Sequence, residues 1–331
     1  MLSVLIVNFF SGKWLKGCLR SVYDHTKDTG FEVIVISNSQ EPELEREISA
    51  LYPRLRWVQM EENSGFARAN NAGMENAGGD TFLLLNADTE LRSNALKACY
   101  DFLQAHPDAV AVGTELIFAD GSAQISGSNV KSGGLNYLML IPYFGMVLSS
   151  LAKSAGVKKP GVENAGSSET EVDWINGAFL MVKRSAVEKA GKLDEDFFLY
   201  HEEAEWCSRL KKFGKLFLLG GEQVIHFEGG TSNEVFKSNT SAHNDLSDKK
   251  GLQLLVSLWL RIRKEFGTGW FILHVLIFTA VIPFVMLLAM FDYFVVRPRA
   301  ESAVGFINNT FKAWKYVPDM LFQRNKLFRS L

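Results

Sequence analysis

Thr81-Phe82-Leu83-Leu84-Leu85-Asn86-Ala87-Asp88-Thr89 is an apolar run that ends in two polar side chains two positions apart. Consecutive apolar residues without alternation predict a strand covered on both faces, as in the middle of a parallel sheet. In an extended segment residues i and i+2 project to the same side. The Asn86 amide oxygen and the Asp88 carboxylate can therefore meet one hard cation that keeps open positions for phosphate oxygens. An Asn-x-Asp tripeptide also suits a turn or a helix cap held by local hydrogen bonds.

Around this run, short β-branched runs alternate with stretches of helical spacing. Ser3–Val7, Glu32–Ile36 and Arg56–Gln59 are predicted strands, and Trp14–His25, Glu43–Leu51 and Phe66–Ala77 predicted helices. This order places the chain in the α/β class, with a mostly parallel sheet and helices on both faces. Ligands of such sheets bind at the carboxyl ends of strands, where Asn8, Ser37-Asn38-Ser39 and Asn86-Ala87-Asp88 all fall. Downstream, Tyr200-His201-Glu202-Glu203-Ala204-Glu205-Trp206 is a second acidic cluster, before a predicted helix over Ala204–Phe213. The lone His226 follows, just before Gly229-Gly230. Together they offer a metal tip, a candidate base and a third ligand. The acidic pair equally suits a solvated first helical turn, favoured by the helix dipole.

The 331 residues exceed what one compact core organises and suit a large domain with an appendage. Residues 251–331 carry 10 Lys/Arg against 4 Asp/Glu, which leaves 25 against 33 for residues 1–250. An acidic front argues against nucleic acid, while a basic apolar tail suits an anionic membrane surface. Cys18, Cys99 and Cys207 stand far apart, which indicates neither a disulfide framework nor a zinc site and fits a reducing cytosol. Met1–Val7 lacks a basic region and a cleavage site, so it is read as a first strand and no export is expected.

The expected organisation is a domain over residues 1–250 and a helical, membrane-associating tail over 251–331. Residues 126–171 break the strand-helix rhythm. They are read as a mobile insert, either an acceptor-side lid or a membrane contact, with a buried helix as the other possibility. In the tail, Leu252–Arg263 has helical spacing, and Trp270–Met290 is 21 residues without a formal charge. That length would cross a bilayer, and a buried helical hairpin is the soluble alternative. Pro283 is expected to break the stretch and turn the chain back, giving a re-entrant or interfacial hairpin. Flanking cations (Arg261, Arg263, Lys264, Arg297, Arg299) are expected on the cytoplasmic side, and the later Lys312, Lys315, Arg324, Lys326 and Arg329 near anionic lipid.

Val4–Asn8, Glu32–Ser39, Asn63–Gly73, Leu85–Asp88, Trp174–Ala178, Leu193–Tyr200, Glu202-Glu203 and His226, in this order and spacing, resemble the inverting, nucleotide-sugar-dependent glycosyltransferases of family two, with the GT-A fold. The likeness runs from Val4 to about Gly267. It implies Mg²⁺ or Mn²⁺ held by Asp88 and Asn86, where that family has Asp-x-Asp, with His226 as third ligand or diphosphate contact. It also implies a catalytic pair, Glu202-Glu203, whose second acid takes the acceptor proton; Glu203 is one methylene longer than the usual Asp. Donor binding is implied for Asn8, Ser37, Asn38, Ser39, Asn63, Gly65, Phe66, Arg68, Asn70, Asn71 and Asn86, although Ser37 replaces the family's usual Asp. The acceptor wall is implied for Asp173, Trp174, Gly177 and Ala178.

Glu205-Trp206-Cys207 resembles the subset that uses dTDP-rhamnose. The implied partners are a dTDP- or UDP-linked sugar and a glycan or lipid-linked glycan acceptor at the cytoplasmic face of the inner membrane. A noncatalytic sugar-nucleotide or glycan-binding protein on the same fold is the alternative, suggested by the departures at Ser37, Asn86 and Glu203.

Overall fold

The computed structural model describes residues 1–129, 132–154, 161–163, 166, 169–227, 245–295, 297–324 and 326–330. Two units share the chain. The first comprises Met1–Asn129, Gly161–Asp194 and Glu203–Val235; the second comprises Val130–Pro160, Glu195–Glu202 and Phe236–Leu331. The sequence division at residue 250 differs, because residues 130–160 group with the C-terminal helices. Gly229-Gly230 and much of the Gly, Lys and Ser-rich stretch around Pro160 lie outside the described residues.

The first unit opens with β1 (Leu2–Asn8), α1 (Gly12–His25), β2 (Phe31–Ser37), α2 (Pro42–Leu51), β3 (Arg56–Gln59), α3 (Gly65–Asn76) and β4 (Thr81–Asn86). There follow β5 (Thr89–Leu91), α4 (Ala95–Ala105), β6 (Ala109–Ile117), β7 (Gly127–Ser128) and, after the segment in the second unit, β8 (Gly161–Val162), β9 (Glu169–Val172), β10 (Trp174–Ile175) and β11 (Phe179–Lys183). The main sheet runs β3-β2-β1-β4-β11-β6-β12-β5, where β12 is Lys215–His226 and β9 pairs with β12. Its front half is parallel throughout, and β11 enters antiparallel between β4 and β6.

Alternation sorts each central strand onto two cores. Val4 and Ile6 pack with Leu15, Cys18 and Leu19 of α1, whereas Leu5 packs on the opposite face with Ala67 and Met74 of α3. A fully buried aliphatic side chain is worth about 1.5–3 kcal/mol, so this double covering favours the predicted strands over any helical reading. The register aligns Asn8 with Ser37 and Val7 with Asn86, which brings the three carboxyl ends level.

In the second unit a 3₁₀ helix (Ser132–Leu140) leads to α5 (Phe144–Ser154). The remaining elements of the first unit are α6 (Arg184–Ala190) and α7 (Glu202–Leu210), the latter beginning two residues before the expected Ala204. The second unit continues with α8 (Lys249–Glu265), α9 (Thr268–Ala280), α10 (Ile282–Val295), α11 (Arg297–Ala313) and α12 (Val317–Leu321). Asp248 caps α8 by accepting the Gly251 N–H at 2.8 Å, and α8 is buried on every side from Gly251 to Ile262. Trp259, Phe271, Phe278 and Phe306 form its aromatic core.

The reversal expected at Pro283 is not found. Val281 is helical, its N–H bonds the Ile277 carbonyl at 3.1 Å, and the Val285 N–H bonds Val281 at 2.9 Å. Pro283 sits at the second residue of α10, a first-turn position where its missing N–H has little cost. One apolar helical span, Thr268–Val295, results, with mean hydropathy 2.7 over its best window. The chain doubles back only after Val295, where α11 packs on α10.

One stripe of this span faces inward: Phe271, His274, Phe278, Ile282, Val285 and Asp292. Its two polar members face the 3₁₀–α5 segment. His274 bonds the Gly134 carbonyl at 3.1 Å, while burial and the Asp292 carboxylate push the Tyr143 phenol up. Several of the basic residues make ion pairs or hydrogen bonds within the unit. Arg261 is buried against Glu265 and Tyr137, Lys264 pairs with Asp196 at 2.7 Å, and Arg324 and Lys326 both pair with Asp319.

Candidate active site

The carboxyl edge of the sheet carries two polar corners. At the first, the Asn8 amide nitrogen donates to Ser37 Oγ (2.9 Å), Ser39 Oγ (3.3 Å) and Glu41 Oε2 (2.9 Å), while its Oδ1 accepts from Ser11 Oγ at 2.7 Å. Ser37 Oγ in turn donates to the Ser39 carbonyl at 2.8 Å, and Ser39 Oγ donates to Glu41 at 2.5 Å. Asn38 reaches across to α3, donating to the Gly65 carbonyl at 3.0 Å and accepting from Ser64 Oγ at 3.0 Å. Asn8, Ser37, Asn38 and Ser39 are all buried. Their side chains therefore staple the β1–α1 and β2–α2 loops.

Glu41 is a residue the sequence reading missed. Its signal was an acid directly before Pro42 at a helix start, four positions after the Ser37 that replaces an Asp.

At the start of α3, Asn63 Oδ1 accepts the Gly65 N–H at 3.1 Å, and Gly65 takes φ +83, a left-handed conformation that favours glycine. Phe66 and Arg68 are half-buried. Asn70 and Asn71, predicted donor ligands, are turned inward: Asn70 donates to the Phe66 carbonyl at 2.9 Å, and Asn71 exchanges two bonds with the Leu193 backbone.

The second corner is the tip of β4. The chain turns over Ala87-Asp88, and β5 then pairs antiparallel with β12 so that His226 stands opposite Thr89. The Phe227 N–H bonds the Asp88 carbonyl at 2.9 Å and closes the juxtaposition. His226 Nε2 lies 3.5 Å from Asp88 Oδ1 and 3.4 Å from Asn86 Nδ2, with His226 and Asp88 both buried. On the other side of the ring stands Gln124, also buried, with Oε1 3.0 Å from His226 Nδ1 and Nε2 2.6 Å from the His226 carbonyl oxygen. Gln124 had no signal in the sequence, being an isolated amide outside any regular element.

Among the described residues no group of three or more His, Cys, Asp or Glu side chains converges. A divalent cation at this corner would use a carboxylate, an imidazole and the Asn86 amide oxygen, reached by swapping the ends of that amide. Oxygen and imidazole donors of this kind suit Mg²⁺ or Mn²⁺ with substrate oxygens completing the shell, so the residues fit the ion.

The acceptor-side residues adjoin this tip. β11 runs antiparallel to β4, and the Asn86 N–H bonds the Ala178 carbonyl at 3.0 Å. A Cβ on Gly177 would meet Glu203 Cγ at 3.3 Å, so the glycine gives the longer acid its room. The Trp174 indole N–H donates to Glu203 Oε1 at 3.1 Å, and Asp173 pairs with Lys211. Glu203 is half-buried in the first turn of α7, whereas Glu202 is buried and groups with the helical unit. Glu205, Trp206 and Cys207, the sugar cue, are interior. Glu205 grips Arg209, Trp206 donates to the Gly191 carbonyl at 2.8 Å, and Cys207 sits in the core.

Residues 3–145 match the profile described as Glycosyl transferase family 2. The chain is 24% identical over 259 residues to the N-acetylglucosaminyl-diphospho-decaprenol L-rhamnosyltransferase of Mycobacterium tuberculosis, covering 74% of this chain and 81% of that protein. It is 24% identical over 288 residues to the low-salt glycan biosynthesis hexosyltransferase Agl10 of Haloferax volcanii, covering 80% and 85%. Among solved structures, GalNAc-T7 with UDP, GalNAc and Mn²⁺ superposes with a TM-score of 0.50 at 16% identity, over 68% of this chain and 43% of that one.

Proposed function

We propose that this glycosyltransferase, whose residues 3–145 match Glycosyl transferase family 2, moves one sugar, L-rhamnose first, from a dTDP- or UDP-linked donor to a glycan or lipid-linked glycan acceptor with inversion. The observation that carries this reading is the adjacency, along β4 and β11, of the Asp88–His226 tip and the Trp174–Glu203 pair. Metal use is supported by the donor set and by the Mn²⁺ in the GalNAc-T7 structure. Rhamnose is supported by the names of relatives alone, since Glu205-Trp206-Cys207 is interior.

A sugar hydroxyl is a poor nucleophile until its proton has somewhere to go. Glu203 takes that proton, while the acceptor oxygen bonds to the anomeric carbon as the bond to the diphosphate oxygen breaks. One displacement inverts the centre. Trp174 holds the carboxylate through its indole N–H, and Gly177 leaves space for it. Asp88, His226 and Asn86 would hold Mg²⁺ or Mn²⁺, which when bound neutralises the charge that develops on the departing diphosphate. Asn8, Ser37, Asn38, Ser39 and Glu41 fix the loops beside which the nucleotide lies.

The outward stripe of Thr268–Val295 includes Leu273, Leu276, Phe284, Leu287, Phe291 and Phe294, all exposed. An apolar face of this size is matched by lipid. The inward stripe is occupied by protein, and basic residues before and after the span favour its lying on the cytoplasmic leaflet over a full crossing.

The test is nucleoside diphosphate release from dTDP-rhamnose and a panel of UDP-sugars, with Mn²⁺ and vesicle-borne lipid-linked acceptor. Acceptor-dependent release from one donor, giving the inverted anomer, is expected. Donor binding without release from any donor would instead favour the noncatalytic alternative.

A further inference from the structure

Gln124 touches His226 twice, and the two contacts together fix which ring nitrogen carries the proton. The His226 carbonyl can only accept, so the Gln124 atom 2.6 Å from it must be the amide nitrogen. The atom 3.0 Å from Nδ1 is then the amide oxygen, which can only accept, so Nδ1 is the protonated nitrogen. A reversed amide would set oxygen against oxygen at the carbonyl, so the usual ambiguity of amide orientation is removed here by chemistry. In the neutral ring the Nε2 lone pair consequently points at the corner that holds Asp88 Oδ1 and the Asn86 amide.

The fold builds this grip deliberately. β6 ends in a reverse turn in which the Phe118 N–H bonds Ser122 and Gly121 takes φ +85. The chain returns along β6, and the Gln124 N–H bonds the Leu116 carbonyl at 2.9 Å. Since β6 and β12 are parallel neighbours with Ile117 opposite Ile225, the returning segment lands beside His226. Ser126 Oγ donates to the Gln124 carbonyl at 3.2 Å and secures the segment. A glutamine so placed has no other task at the surface, because it is 4% exposed.

We propose that Gln124 is a positioning residue that locks His226 in the Nδ1–H tautomer and aims Nε2 at a divalent cation shared with Asp88 and Asn86. The inference rests on the metal reading above, yet the tautomer is measurable without metal. Outer-shell partners of ligating histidines fix ring orientation in this way, and their loss typically costs about 10- to 100-fold in metal affinity.

The experiment uses the full chain labelled with [¹⁵N]histidine and free of metal, with His226 identified by the signal lost in His226→Asn. Long-range ¹H–¹⁵N spectra at mildly alkaline pH should show Nδ1 protonated and Nε2 bare. A protonated Nε2 in the unaltered protein overturns the inference with no variant needed. Gln124→Met should release the ring to the other tautomer and weaken Mn²⁺ binding in the presence of UDP or dTDP by about 10- to 100-fold. Unchanged Mn²⁺ affinity in Gln124→Met also overturns the inference. A correct tautomer combined with unchanged Mn²⁺ affinity in Asp88→Ala would instead sink the metal reading.

Discussion

The two polar corners of the sheet edge look alike in sequence and differ in chemistry. Around Asn8, Ser37, Ser39 and Glu41 the side-chain donors meet acceptors, and the network closes on itself. At Asn86, Asp88 and His226, a carboxylate oxygen and a ring nitrogen face each other at 3.5 Å. Buried polar groups are ordinarily paired with complementary partners. The first corner is closed by its own hydrogen bonds, while the second brings together a carboxylate, an imidazole and an amide, a donor set that suits a divalent cation. Amide-rich strand ends are thus of two kinds, and only the partners tell them apart.

The contrast is broken most directly at Asp88. Asp88→Ala should abolish Mn²⁺-dependent binding of the nucleoside diphosphate, whereas Asn86→Asp should retain or tighten it; calorimetry of Mn²⁺ into protein with UDP or dTDP reads both. Unchanged affinity in Asp88→Ala would return the tip to the class of the first corner.

Next in size, Glu203→Gln should lower turnover by about 10²- to 10⁴-fold with donor affinity nearly intact, and Glu202→Gln should lower it less. Trp174→Phe should cost about tenfold through Glu203, so the double variant should be no slower than Glu203→Gln alone. Additive losses would show that Trp174 acts on the acceptor instead.

The smallest effect on activity should come from the closed corner. Asn8→Ala should reduce unfolding free energy by about 1–3 kcal/mol, because it strands buried partners. Donor affinity of the folded fraction should stay within about threefold. Urea melts beside donor titrations separate the two, and a donor loss rivalling that of Asp88→Ala would erase the distinction drawn between the corners.

The parallel strands were legible because apolar runs such as Phe82–Leu85 leave few alternatives to double burial. The polar tips were legible as positions, since strand ends follow from strand limits. Side-chain direction was not. Asn70 and Asn71 sit on α3 where the sequence suggested donor contacts, but helix phase turns both inward. Gln124 was invisible because its partner lies 102 residues away and no local pattern marks it. Pro283 misled for a related reason: a proline ends a helix in its interior but is tolerated in a first turn, and which applies depends on where α10 starts.

The bond from the Asn86 N–H to the Ala178 carbonyl joins the cation tip to the wall beside Glu203 through a single peptide neighbour. Under the proposed roles, a change on the acceptor wall is therefore expected to be felt at the tip as well. A substitution at Gly177 or Ala178 chosen to admit a bulkier acceptor shifts the backbone that fixes Asn86, and its first measurable sign should be a changed Mn²⁺ requirement. Retargeting this enzyme calls for libraries that vary 86–88 and 174–178 together.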